Sequence, residues 1–298
     1  MRSFALALYI GCLLTSVATA AVVRIPTMRG TSVAGAQWRT DYDAALQAAK
    51  GESRLLLIYF YDPKSDATGT KLELGIARFP QVSAQLKGYV CVKLPIGTEI
   101  QVQEEKTRLL DDPAFAALDG KAGIAILDFV QDGSPQYGKV VTAIPIGVSR
   151  SYRYQPEHLS VILGLPAGTL TQRTLIFAVR IHPEAPASAL GEPDPGLVAE
   201  AQSHSEYQAN NQALGHQDWE SRFQRINRHL PGLLAQEVVA ESWPQEGLLD
   251  AAIDCVRSWR QSADHWGAVR SRQSRFAFDM RQGRNGIWYA TGIFGNQR

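Results

Sequence analysis

Four side chains in the last third of the chain have the atom types of a small polar site: His216, Glu237, Ser262 and His265. Neutral imidazoles are good ligands for Zn²⁺ or a similar ion, and a nearby carboxylate serves as a further ligand or orients a ring from behind. The two histidines lie 265 − 216 = 49 residues apart, which is no local metal motif. Ser262, His265 and Glu237 also carry the atoms of a nucleophile–base–acid triad, although catalysis needs a positioned base and an activated water or nucleophile. A third reading needs no reaction: both imidazoles bond to Glu237 and hold a cleft together. Ser262, three residues before His265, also suits a helix cap. Glu241 could substitute for Glu237, and Asp264 could orient the neighbouring His265 ring.

An amphipathic helix must position this set. Over 247–259, Leu248, Ala252, Cys255 and Trp259 share one face, while Asp250, Asp254 and Arg257 occupy the other. Upstream, 196–214 reads as a helix with Leu197, Ala201, His204 and Gln208 roughly in line. A further helical piece over 217–230 stops at Pro231-Gly232. Segments 275–282 and 287–294 form a hairpin across Gly-Arg-Asn-Gly. Helices followed by strands make 195–298 an α+β unit. Five of the six tryptophans lie in it, at 219, 243, 259, 266 and 288, which implies an aromatic core or an aromatic-lined cleft. His204 reads as structural, and His158, His182 and His229 as surface or turn residues. The arginines at 270, 272, 275, 281 and 284 read as a solvated face.

The region 37–166 reads differently. Thr40-Asp-Tyr-Asp opens a helix, and 54–61 is a continuous apolar run suited to a buried central strand. Strands follow over 88–94, 123–130 and 138–144, with a short helix over 113–118 and an Asp132-Gly133 turn between the last two strands. This pattern predicts an α/β sandwich. Between the units, 170–181 reads as an apolar strand. The segment after it holds four prolines and reads as an extended linker, so 167–194 is expected to join the two units.

With a net charge of +1, the whole chain offers no electrostatic case for nucleic-acid or membrane-surface binding. Residues 1–20 carry Arg2, a short apolar run and Ala18-Thr19-Ala20, which together read as a signal peptide cleaved after Ala20. A lipoprotein reading through Cys12 is disfavoured by Tyr9. Residues 21–36 would be an N-terminal extension. No later stretch is apolar enough for a membrane helix, so the expected product is secreted or periplasmic. Cys91 and Cys255 sit in apolar runs and read as buried thiols.

Two resemblances follow from these patterns. Trp38, Asp41-Tyr42, Ala44-Ala45 and Ala48-Ala49-Lys50, followed by Leu-Leu-Leu-Ile-Tyr-Phe, resemble the opening of the thioredoxin-like fold. That family places Cys-x-x-Cys after the first strand, but 61–69 reads Tyr-Asp-Pro-Lys-Ser-Asp-Ala-Thr-Gly. It also has a proline before the third strand, where this chain has Gly123-Ile124-Ala125. The resemblance therefore implies a redox-inactive unit. Such a unit would be a scaffold, or would dock a partner through 62–73.

In the last third, Gly215-His216, Arg222, Glu237-Val-Val-Ala, Trp259-Arg-Gln-Ser262-Ala-Asp-His265 and the closing Gly286-Ile-Trp-Tyr-Ala-Thr-Gly hairpin resemble the CAP superfamily in its bacterial SCP-domain form. The resemblance implies an α-β-α sandwich with a cleft. It makes His216 and His265 the site histidines and Glu237 the site glutamate, with Ser262 where other members carry a second glutamate. Val238 and Trp266 depart from the family pattern. What is implied is an exported protein that binds a ligand, a partner or an envelope component in this cleft, with zinc as a candidate ion. The alternative is metal-assisted or Ser262-dependent hydrolysis in the same place.

Overall fold

The computed structural model describes residues 37–103 and 105–297. The expected signal peptide (1–20) and extension (21–36) lie outside them.

The described chain is mixed α/β. The first half contains β1 (Trp38–Arg39), α1 (Tyr42–Gly51), β2 (Leu55–Tyr61), α2 (Asp66–Arg78), α3 (Pro80–Leu86), β3 (Tyr89–Pro95), β4 (Glu99–Val102), β5 (Glu105–Arg108), β6 (Gly123–Leu127), β7 (Val140–Pro145) and α4 (His158–Leu163). The Asp41 carboxylate starts α1 by accepting from the Ala44 N–H at 2.8 Å. A five-stranded sheet runs in the order β1-β3-β2-β6-β7. β1, β3 and β2 are parallel, and β6 and β7 close the sheet antiparallel. β2 is buried on both faces, as its unbroken apolar run requires: Leu57 and Tyr59 enter one core, while Leu56, Ile58 and Phe60 enter another.

The second half contains α5 (Leu170–Arg180), β8 (Glu192–Pro193), α6 (Pro195–Asn211), α7 (Trp219–His229), β9 (Leu233–Glu241), α8 (Leu248–Gln261), α9 (Ala263–Arg270), β10 (Arg275–Gln282) and β11 (Trp288–Gln297). Its sheet has the order β8-β10-β11-β9, with β10, β11 and β9 antiparallel. Strand alternation sorts the side chains. Phe276, Phe278 and Met280 turn to the core shared with α8, while Ala277 turns to the core of Leu197, Ala201 and Ile226 under α6 and α7. Gly292 on β11 is required by close approach, because a Cβ there would meet the Val238 and Phe278 side chains at 2.9 and 2.8 Å.

Three expectations need correction. First, 170–181 is not a strand but helix α5. Thr169 and Gln172 form a capping box at its start, and Gln172 through Val179 are all buried. Buried on every side, the helix has no polar stripe to reveal a 3.6-residue period. Arg173, 2 % exposed, fastens it to the first sheet by donating to Thr142 Oγ1 at 2.7 Å and to the Leu165 and Pro166 carbonyls. Second, the proline-rich segment is packed rather than an extended spacer. Ser188 and Ala189 are buried, the Ala187 N–H donates to the Arg270 carbonyl at 3.0 Å, and β8 pairs with β10. Third, most of 62–73 is the first part of α2 rather than loop.

α5 lies between the two sheets, and one apolar cluster runs from Leu57 and Ile126 through Leu175–Val179 to Trp259 and Phe278. α8 adds a polar seam. Its Asp250 accepts from Ser149 Oγ at 2.5 Å and from the Ser151 N–H at 3.1 Å, and its Asp254 accepts from Ser151 Oγ at 2.9 Å. The polar face of this helix is thus partly a docking face for 149–151.

Candidate functional site

β9 is an edge strand, so residues from both sides of the second sheet can meet beside it. Glu237 lies on β9 opposite Ile293, and its side chain is 1 % exposed. His216 comes from the connection between α6 and α7. His265 comes from the first turn of α9. The structure brings these three together. Glu237 Oε1 lies 3.0 Å from His216 Nδ1, and His216 Nε2 lies 3.5 Å from His265 Nε2. The two ring centroids are 5.6 Å apart.

A carboxylate only accepts, so His216 Nδ1 carries the donated proton. In the neutral ring, Nε2 then presents a lone pair toward His265. Gly215 sets this direction with φ +153°, a backbone conformation open to glycine, and its carbonyl accepts from His204 Nε2 at 2.9 Å.

Two further residues complete the cluster. Arg222, in the first turn of α7 and 7 % exposed, donates from Nη2 to Glu237 Oε2. His204 on α6, with a side chain 2 % exposed, places Nε2 3.7 Å from Glu237 Oε1. Sequence reasoning treats His204 as structural and gives Arg222 no role at the carboxylate. The available signal is charge accounting: a buried acid needs a partner. Arg222 also lies over the Trp219 ring and 3.9 Å from Glu200. A cavity of about 380 Å³ opens on the His204 and Arg222 side of the cluster.

The electrostatics separate the acid from the bases. Burial pushes the Glu237 carboxyl up, but the hydrogen bonds from His216 and Arg222 outweigh it and hold the carboxyl below its ordinary range. Burial, reinforced by the neighbouring His216 ring, lowers His265. Burial also lowers His204, against the pull of Glu237. Near neutral pH this is an ionised carboxylate behind a neutral His265 ring.

Ser262 is the N-cap of α9: its Oγ accepts from the His265 N–H at 3.4 Å, and among the described residues no hydrogen bond joins it to an imidazole. Glu241 is exposed at the end of β9, outside the cluster, and Asp264 is exposed. His158 is no bare surface residue, since its ring stacks on Tyr152 and takes a 3.0 Å hydrogen bond with that hydroxyl. His182 packs on Trp266 with centroids 4.7 Å apart. Arg275 and Arg281 are paired with Glu192 and Asp279. Cys91 and Cys255 are free and buried.

No family model matches the chain, and no curated protein matches it. Among solved structures, the chain is similar in part to an outer surface protein from Borrelia burgdorferi. The identity is 18 %, over 36 % of this chain and 78 % of that one, with a TM-score of 0.30. An overlap that shallow bears on neither fold nor role. No described helix is long and apolar enough to cross a membrane.

Proposed function

We propose that the second half of the chain is a CAP/SCP-like module of an exported protein, and that its cleft at His216, Glu237 and His265 binds a ligand, partner or envelope component together with a divalent metal ion. The single observation carrying this reading is the facing pair of Nε2 atoms, 3.5 Å apart, with a buried carboxylate holding the far nitrogen of one ring. Two nitrogens of one tetrahedral zinc ion sit about 3.4 Å apart. The donor set therefore fits zinc: His216 and His265 would hold the ion, and Glu237 would orient His216 from behind. Among the described residues no group of three or more His, Cys, Asp or Glu side chains is placed to hold an ion. Such an ion would keep open positions for water or for a ligand's oxygen or nitrogen atoms. When bound, it supplies Lewis-acid polarisation of whatever fills them.

The leader-like composition of 1–20 supports export. The mixed sheet with helices on both faces supports reading the first half as thioredoxin-like. Its redox inactivity follows from the absence of cysteine in 61–69 and from the burial of Cys91 in β3.

Titration of the metal-free full chain with Zn²⁺ tests the cleft. The expected result is one site, lost in the His216→Ala/His265→Ala double variant with the fold intact by circular dichroism. Equal zinc content in variant and parent ends the reading. Hydrolysis in the same cleft is the second reading, suggested by a neutral imidazole base at His265 near an ionised carboxylate. Its test is turnover on ester and peptide panels, and turnover abolished by Ser262→Ala would replace the binding reading.

A further inference from the structure

The turn that carries His216 is held by a residue with no chemistry of its own to offer a metal or a reaction. Gln208, in the last turn of α6, is 0 % exposed, and so is Thr291 on β11. The core under this helix holds Leu197, Ala201, Ala277 and Ile293, so an amide and a hydroxyl placed there are costly unless both are bonded. Both are. The Gly215 N–H can only donate, which fixes the orientation of the amide. Gln208 Oε1 accepts from that N–H at 3.2 Å, and Nε2 is left to donate to Thr291 Oγ1 at 3.0 Å. The Gln208 backbone carbonyl separately accepts from the Ala213 N–H at 3.1 Å, where α6 ends in a left-handed Gln212. An apolar side chain of similar size would end the helix through the same carbonyl. What the amide adds is the grip on Gly215.

That grip has a geometric consequence. Peptide units are planar, so the only soft torsions between the 214–215 and 215–216 planes are φ and ψ of Gly215. Gln208 holds the first plane through its N–H. His204 holds the second by donating from Nε2 to its carbonyl at 2.9 Å. With both planes held from α6, φ stays at +153°, although glycine by itself is the residue least able to keep a torsion. His216 leaves the second plane, so the same two contacts aim its ring, with Nδ1 on Glu237 at 3.0 Å and Nε2 toward His265.

We propose that Gln208, braced by Thr291, is a positioning residue of the His216, Glu237 and His265 cluster, acting through the Gly215 backbone to fix the direction and tautomer of the His216 ring. It touches no ligand itself. Its effect on zinc rests on the metal reading above, and its effect on the ring does not.

The test uses the metal-free full chain with nitrogen-15-labelled histidine at about pH 8, where imidazoles are neutral. Proton–nitrogen correlation spectra of the parent should show His216 protonated at Nδ1. Gln208→Met keeps the length of the side chain and removes the amide, so a population protonated at Nε2 should appear. Zn²⁺ affinity should fall about tenfold, the lower end of the loss when a group behind a ligand is removed, because Gly215 is half-buried and water can replace the acceptor. Thr291→Val removes the hydroxyl brace and should shift both readouts in the same direction by less, which covers a Gln208→Met variant that fails to fold. Thr291→Ser should restore both. Leu197→Ala, in the same helix but 208 − 197 = 11 residues away, loses packing without touching the turn and should leave both unchanged. The proposal is overturned if the parent ring is not held in the Nδ1-protonated form. It is overturned equally if the His216 nitrogens of Gln208→Met, or of Thr291→Val should the first not fold, match the parent, or if Leu197→Ala moves them as far. A parent without Zn²⁺ affinity ends the metal reading alone, and the ring spectra still decide the role of Gln208.

Discussion

Replacing Glu237 by alanine tests the physical core of the site. The change removes a carboxylate whose side chain is 1 % exposed and leaves Arg222, 7 % exposed, without its closest anion. Breaking a buried ion pair from one side costs about 3–5 kcal/mol, mostly because the surviving charge is stranded. Two features place this case near the lower end. Glu200 remains 3.9 Å from Arg222, and the His216 ring is 42 % exposed, so water can replace its lost acceptor. The expected loss is thus about 3 kcal/mol, or roughly 6 °C in Tm at about 2 °C per kcal/mol for a chain of this length. Urea unfolding followed by tryptophan fluorescence reads it directly. Glu237→Leu combined with Arg222→Met removes both charges, so the double variant should be more stable than the sum of the single losses implies, with a coupling above about 1 kcal/mol. A Glu237→Ala cost under about 1 kcal/mol, or strict additivity in the cycle, would refute the claim that Arg222 depends on this carboxylate. The pH sign is fixed as well. The folded carboxyl ionises below its ordinary value of 4.5, so its contribution is complete above that pH and lost as pH falls through the lower folded value.

Other outcomes follow from the same geometry. The ring resonances of His265 and His204 should titrate below 6.5 in NMR spectra, since burial lowers both. The contribution of each to stability is then intact above 6.5 and lost as pH falls through the folded value, and a midpoint at or above 6.5 for either would contradict the burial argument. Gly215→Ala forces a side chain into φ +153° and should cost about 1–2 kcal/mol. By displacing His216 it should also weaken Zn²⁺ binding more than Gly51→Ala, where an added Cβ meets nothing within 4 Å; equal zinc affinity in the two variants would show that this turn does not aim the ring. Burial pushes the Cys91 thiol up to about 12 and raises Cys255 further, so neither thiol should react with a disulfide reagent at pH 8 until the chain is unfolded. Stoichiometric labelling of the native protein would count against the packing described for β3 and α8.

What the sequence discloses depends on how many faces of an element are buried. α8 turns one apolar face toward α5, β9 and β11, so its stripe of Leu248, Ala252, Cys255 and Trp259 is legible, and all four are buried. The partner on its opposite face is not legible, because Asp250 and Asp254 read alike whether they meet water or the Ser149 and Ser151 hydroxyls. α5 is the opposite case, a helix with neighbours on every side. Its Leu-Ile-Phe-Ala-Val run is then compatible with either a buried strand or a buried helix, and only the Thr169–Gln172 capping box discriminates. The site divides in the same way. His216, Glu237 and His265 can be singled out by residue type and family resemblance. Arg222 stands in the resembling motif, yet neither it nor His204 shows a role at Glu237, because each lies on a helix where a polar residue is ordinary until the neighbouring strand delivers a buried carboxylate. The requirement that a buried charge be answered is a constraint on three-dimensional neighbours. Applied to Glu237 it finds Arg222 inside the chain. Glu237 therefore reads as one half of a completed pair behind an imidazole.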